Sequence, residues 1–251
     1  GRIDGGSPAL IAALEAAARR HGVTLRTSAK VARILVDSGG VRGVRLASGE
    51  ELAADTVLST LDPKATFSEL IGPPWLPLEV ADGARVYRMR GATAIVLLGL
   101  NGPLTTHTGT LVETMRTGET LDEVEKAFDA AKYRRFALAP ALSVTVPSMS
   151  DATLAPAGQH VAVVRVHAAA YDLEGGWTES AQAAGLEATL GQLAQYCPRV
   201  REQIVAMQLV SPVDLEARFG LHGGHLLHGE LAPDQLLSFR PSLATGRYAT
   251  P

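Results

Sequence analysis

The longest uncharged apolar run in the chain, Ala94-Ile95-Val96-Leu97-Leu98-Gly99-Leu100, constrains its fold most. It falls far short of the roughly 20 residues a helix needs to cross a bilayer, and it has the length of a buried strand. With 251 residues the chain can form one large domain or two modest ones.

The segments on either side read as helices and strands too. Ser7 is a good N-cap and Pro8 sits where a helix tolerates proline best, so a helix is expected from Pro8 to about His21. Its apolar stripe would be Leu10, Ile11, Leu14, Ala17 and Ala18, with Gly22 ending it. Strands are expected at 23–27, 31–36, 41–46 and 51–59, with Asp37-Ser38-Gly39-Gly40 as the hairpin turn. Asp62-Pro63 and Pro73-Pro74-Trp75-Leu76-Pro77 break the pattern and mark a crossing between domains. Beyond it, strands are expected at 85–90, 94–100, 109–113, 141–146, 159–167 and 204–210. Helices are expected at 120–133, 178–196 and 212–219; Thr120 and Glu123 have capping-box spacing. Strands and helices that do not strictly alternate place the fold class between α/β and α+β, with a mixed β-sheet flanked by helices after the first α/β unit.

Several function classes are excluded or disfavoured. A net charge of −3 with arginines scattered singly or in pairs gives no stripe for nucleic acid. The single cysteine, Cys197, rules out a disulfide framework and a redox cysteine pair within the chain, and suits a reducing, cytoplasmic setting. It follows a helical run and has no cationic neighbour to activate it, so it reads as a small core residue. Peripheral membrane contact stays open.

The densest chemical cluster is Phe219-Gly220-Leu221-His222-Gly223-Gly224-His225-Leu226-Leu227-His228-Gly229-Glu230-Leu231, which holds three of the seven histidines. Imidazoles with a nearby carboxylate suit zinc or iron. The Gly-Gly pair argues against regular helical presentation of the histidines, and no metal is assigned. No glycine-rich dinucleotide fingerprint sits between a strand and a helix; Gly39, Gly40 and Gly43 belong to a hairpin.

The order of Gly5-Gly6-Ser7-Pro8, Val31, Val57-Leu58-Ser59-Thr60-Leu61-Asp62-Pro63, "HTGT", "VTVPSMSDATLAPAG", "YDLEGGW", "DLEARFGLHGGHLLHGEL" and "DQLLSFRP" resembles the phytoene-desaturase-like flavin oxidoreductases. This group includes carotenoid desaturases and pyridine nucleotide-disulfide oxidoreductase domain proteins. The resemblance implies a partial FAD-binding unit over residues 1–65, a substrate-binding domain over 66–220 and a return to the FAD domain over 221–251. It implies cofactor contacts at Gly5, Gly6, Val31, Ser59, Thr60, Gly223 and Gly224, with Val31 meeting the adenine through its backbone. His228 and Glu230 would be the catalytic candidates beside flavin and substrate. The expected chemistry is hydride transfer from an apolar small molecule to FAD. The family's fingerprint would precede this chain and its C-terminal flavin motif would follow it. The chain is therefore expected to be a fragment that binds no FAD alone and self-associates through exposed apolar surface. The competing expectation is a non-catalytic module for an apolar ligand or a protein partner.

Overall fold

A computed structural model of the chain describes residues 6–90 and 92–236. Helix α1 (Gly6–Arg20) forms as expected, but none of its residues is buried. Ile11 and Leu14 are 63% and 61% exposed, so the apolar stripe has no cover among the described residues.

Strands β1 (Val31–Asp37) and β2 (Gly40–Leu46) make the expected hairpin, paired from Val31 opposite Leu46 to Asp37 opposite Gly40 with register shifts between Val31 and Arg33 and between Leu35 and Val36. The Asp37 carboxylate accepts from the Gly39 N–H at 2.7 Å and from Arg42 Nε at 2.7 Å, which pins the turn. Strand β3 (Glu51–Ala53) pairs with β2, so β1 is an edge strand of this sheet. Gly43 takes a φ of +140°, and a Cβ there would collide with the Leu52 carbonyl; β2 and β3 can approach only because that residue is glycine.

One expected strand does not form and another is cut short. Residues 23–27 are irregular, and the strand expected over 51–59 stops at Ala53, leaving Leu58 91% exposed. Strand propensity is realised only where a partner ladder exists, and the described residues offer none beside these segments.

After the hairpin, Asp62 opens a π-helical segment, Lys64–Ile71, by accepting from the Lys64 and Ala65 N–H groups at 2.9 and 3.0 Å. A short turn at Pro73–Trp75 leads into α2 (Leu78–Val86), which occupies part of the expected strand at 85–90.

The remainder is a five-stranded sheet ordered β5-β6-β7-β4-β8. In chain order its parts are β4 (Ala92–Leu100), β5 (Thr114–Arg116), α3 (Leu121–Lys132), β6 (Leu142–Thr145), β7 (His160–Ala169), α4 (Glu179–Tyr196), α5 (Val200–Gln203), β8 (Ile204–Val210) and α6 (Pro212–Phe219). The strand expected at 109–113 is replaced by β5, a few residues later. The fold class holds, while the pairings correct the sheet from mixed to antiparallel at every ladder. The connection from β7 through α4 to β8 does make those two strands parallel in direction. Strand β4 lies between them, so no parallel ladder arises.

Helix starts follow the caps. The Thr120, Thr178 and Ser211 hydroxyls accept from the N–H groups of Glu123, Ala181 and Asp214, and Ser211 with Asp214 forms a complete capping box. Among the described residues no helix is long and apolar enough to cross a membrane.

The sheet is sealed on one face. Ala94, Val96, Leu98 and Leu100 of β4 are at most 1% exposed, and pack with Val144, Val164 and Val166 under Leu190 and Leu193 of α4. Cys197 joins this core, and burial pushes its thiol pKa up to about 11, so it is unreactive at neutral pH. The alternate residues face the other way, and Leu97 is 37% exposed. This asymmetry predicts that Leu98→Ala lowers unfolding stability by about 2–5 kcal/mol in urea titration. Leu97→Ala is expected to change it by less than about 1 kcal/mol; equal losses would contradict a one-faced sheet.

Candidate functional site

The histidine- and glycine-rich segment forms a loop that docks onto distant chain. Helix α6 ends at Gly220 (φ +66°), and Gly223 and Gly224 also take positive φ. A side chain at Gly224 would collide with Pro212, so the glycine pair lets the loop fold back against the start of α6.

The three imidazoles diverge. His222 Nδ1 lies 3.1 Å from the carboxylate of Asp62, which is 2% exposed. His225 is buried, and its Nδ1 accepts from the Leu227 and Gly229 N–H groups at 3.3 Å each, closing a turn. At His228 the backbone adopts φ +54°, and its carbonyl accepts from the Tyr87 hydroxyl at 2.9 Å. A Cβ at Gly229 would collide with the hydroxyl end of the Tyr87 side chain. No group of three or more metal-ligating side chains converges among the described residues.

Glu230 is the electrostatic centre of the loop. It is 8% exposed, accepts from Arg88 Nε at 2.8 Å and lies 3.5 Å from Arg90 Nη2. Its own N–H donates to the Arg88 carbonyl at 3.0 Å. The Gln235 side chain brackets the same backbone, accepting from Arg88 N–H at 2.7 Å and donating to the Arg88 carbonyl at 3.1 Å. Asp234 accepts from Arg88 Nη2 at 2.5 Å. Asp234 and then Glu230 hold the Arg88 pKa far above its ordinary value, and Arg88 in turn holds the Asp234 carboxyl below its own. Residues 85–90, expected as a strand, thus have this loop in place of a ladder partner.

Beside the loop lies a cleft of about 330 Å³, lined by Lys64, Met89, Arg90, Tyr171, Glu216 and His222 among others. The Tyr171 hydroxyl donates to Glu216, which raises the Tyr171 pKa. Trp177 donates from Nε1 to the Ala170 carbonyl at 3.0 Å and meets Phe136 edge-on at 6.0 Å.

The expected residues fall in two groups. Gly223, Gly224, His228 and Glu230 come together in the loop. Gly6, Val31, Ser59 and Thr60 lie in the first third of the chain; Gly5 is outside the described residues. Val31 starts edge strand β1. The Ser59 hydroxyl pairs with Thr66 at 2.7 Å, and Thr60 is exposed. The Lys64–Ile71 segment connects the groups: it packs on β1, receives Ser59, and is opened by the carboxylate that holds His222. Sequence reasoning missed Arg88 and took Asp62 only as a chain break. Their partners lie more than 100 residues away, and nothing local signals such a pairing.

The open face of the five-stranded sheet is a second surface. Cross-strand partners share a face, so Arg116, Ser143, Arg165 and Ile95 form one row across β5, β6, β7 and β4. Thr114, Thr145, Val163, Leu97 and Gln208 form the next, which reaches β8.

Comparison with known proteins places this geometry. The flavin containing amine oxidoreductase family matches residues 1–173. This chain belongs to that family. It is 30% identical over 268 residues to pyridine nucleotide-disulfide oxidoreductase domain-containing protein 2 of Rattus norvegicus, covering 99% of this chain and 45% of that protein. It is 32% identical over 162 residues to the zeta-carotene-forming phytoene desaturase of Myxococcus xanthus, covering 64% of this chain and 30% of that one. A crystal structure of an oxidoreductase from Methanosarcina mazei shares the fold, with a TM-score of 0.58 at 22% identity over 82% of this chain and 42% of that one. The chain thus spans less than half the length of the curated relatives it matches.

A flavin dinucleotide needs a backbone cradle for its pyrophosphate as well as contacts for its adenine. The described residues offer the free edge of β1, where a backbone can pair with a ring edge. They offer no glycine-rich turn leading from a strand into a helix, since Gly39, Gly40 and Gly43 lie in the hairpin and Gly220 to Gly224 follow a helix. They fit an edge contact and do not fit the pyrophosphate.

The loop geometry predicts that Arg88→Ala costs about 1–3 kcal/mol, because Glu230 loses its main partner while nearly buried. Asp234→Asn, at the exposed rim, is expected to cost less than about 1 kcal/mol. Chemical denaturation with limited proteolysis of residues 221–236 checks both; an Arg88→Ala protein with wild-type stability and protease resistance would contradict the latch.

Proposed function

We propose that this chain forms the substrate-facing part of a flavin-dependent oxidoreductase of the dehydrogenase or desaturase type, acting on an apolar small molecule. The observation that carries the reading is the one-faced sheet. Ile95, Leu97 and Val163 stand together on the face that α4 leaves open, while every core position behind them is sealed. Membership of a flavin-containing family supports it, as does similarity to a protein named as a phytoene desaturase. Flavin supplies the redox chemistry in such enzymes, so the protein mainly has to bind, orient and keep dry. A rigid antiparallel sheet with an apolar open face suits those tasks. In this reading the His222–Gln235 loop positions the junction between the sheet and the first third of the chain.

The test titrates the chain with a long-chain polyene and follows quenching of its tryptophan fluorescence. Saturable binding is expected, and Leu97→Asp should weaken it by about ten-fold or more, as loss of an apolar contact and burial of a charge both act against binding. Unchanged affinity in the variant would overturn the assignment of this face. Incubated alone with FAD and desalted, the chain is expected to be colourless, since its described residues lack a pyrophosphate cradle.

The same proposal includes self-association. The α1 stripe of Leu10, Ile11 and Leu14 is exposed, which an isolated chain resolves by pairing with another copy. Size-exclusion chromatography at rising concentration should show oligomers; a monomer at every concentration would contradict this part.

A further inference from the structure

The open sheet face changes character from one end to the other. Over β4 it is apolar, with Ile95 and Leu97. Over β5 to β7 it becomes a cleft of about 560 Å³ lined by Thr114, Arg116, Ser143, Thr145, Val163 and Arg165. Arg116 and Arg165 flank Ser143 in a single cross-strand row. Their strands lie about 10 Å apart, two strand spacings, so both guanidiniums can reach one small group held between them.

No carboxylate lines this cleft, and among the described residues neither arginine has an ion-pair partner. Two arginines of β2 are paired by contrast, Arg42 with Asp37 and Arg45 with Glu51. Two guanidiniums together without an anion repel each other, and the row leaves their forked donors free for a planar anion. The hydroxyls of Thr114 and Ser143 stand on the same face, as does that of Thr145, which donates to the Val163 carbonyl at 3.5 Å. His167 Nε2 lies 2.8 Å from the Ser143 hydroxyl at the edge of the row. Burial and then the fields of Arg165 and Arg116 lower its pKa, so it stays neutral at pH 7 and leaves the arginines as the cations of the cleft.

We infer that the β5–β7 end of the open face is an anion subsite, which takes the carboxylate head of an amphiphile whose apolar chain lies along Val163, Leu97 and Ile95. This rests on the reading of the open face as the substrate surface and sharpens it, from any apolar molecule to one with an acidic terminus. Arg116 and Arg165 hold the carboxylate, the hydroxyls complete its hydrogen bonds, and the row next to them carries the first apolar contacts.

Isothermal titration of the full chain with dodecanoate and with dodecanol, which differ only in the head group, tests the subsite. Wild-type protein should bind dodecanoate more tightly than dodecanol. Arg116→Gln and Arg165→Gln should each weaken dodecanoate by about ten-fold, the scale of one charge-assisted hydrogen bond, and leave dodecanol unchanged. Arg165→Lys, which keeps the charge and loses the fork, should bind dodecanoate with an affinity between those of the wild type and Arg165→Gln. Equal affinity for the two ligands, or glutamine variants that bind dodecanoate as the wild type does, would overturn the subsite. If dodecanol still binds and Leu97→Asp abolishes it, the apolar surface survives that failure. If neither ligand binds the wild type, the substrate surface and the subsite fall together.

Discussion

The structure depends on strand β4 having two different sides. It pairs with β7 on one edge and β8 on the other, so its hydrogen bonds are satisfied within the sheet. Its even-numbered side chains disappear under α4, and its odd-numbered ones stay on the open face. A helix can cover only one face of a sheet, and the second face of an apolar strand then has to meet something else. In a protein of a flavin-containing oxidoreductase family, a substrate is the economical occupant. The anion subsite at the far end of the same face is the polar counterpart of that apolar centre.

The second constraint is the latch formed by Arg88. One guanidinium holds Glu230 and Asp234, and the Arg88 backbone is bracketed by Gln235. These contacts bring the loop after α6 back to the residues that lead into β4. The Asp62–His222 contact extends the arrangement to the segment packed on β1. The residues that attracted attention as candidate acid and base are therefore embedded in a network that sets the relative positions of the two sheets. Glu230 meets guanidinium groups at both carboxylate oxygens, an arrangement suited to holding a loop in place.

Much of the fold was legible in the sequence because its signals were local. Thr120 with Glu123 announced one helix start, and strict alternation or unbroken apolar runs announced β1, β2, β4, β7 and β8. The failures share one cause. Residues 56–58 and 85–90 have strand-like composition, but whether they pair is decided by chain that is distant in sequence. The direction of the ladders was equally hidden, since the helical crossover from β7 to β8 looks like a parallel unit until β4 is inserted between them. The candidate site was half visible. The dense His-Gly-Glu segment stood out, while Arg88, Asp62 and the arginine row of Arg116 and Arg165 did not. A lone arginine in a strand carries no signal until register places a second beside it.

Photo-crosslinking with an apolar probe that carries a diazirine at mid-chain, followed by mass-spectrometric mapping, tests the central claim most directly. The account predicts adducts on β4 and β7, at Ile95, Leu97 and Val163, and none on the α4-covered positions such as Val96 and Leu98. Adducts concentrated on α1, or spread evenly over the exposed apolar residues, would contradict the open sheet face as the ligand-binding surface.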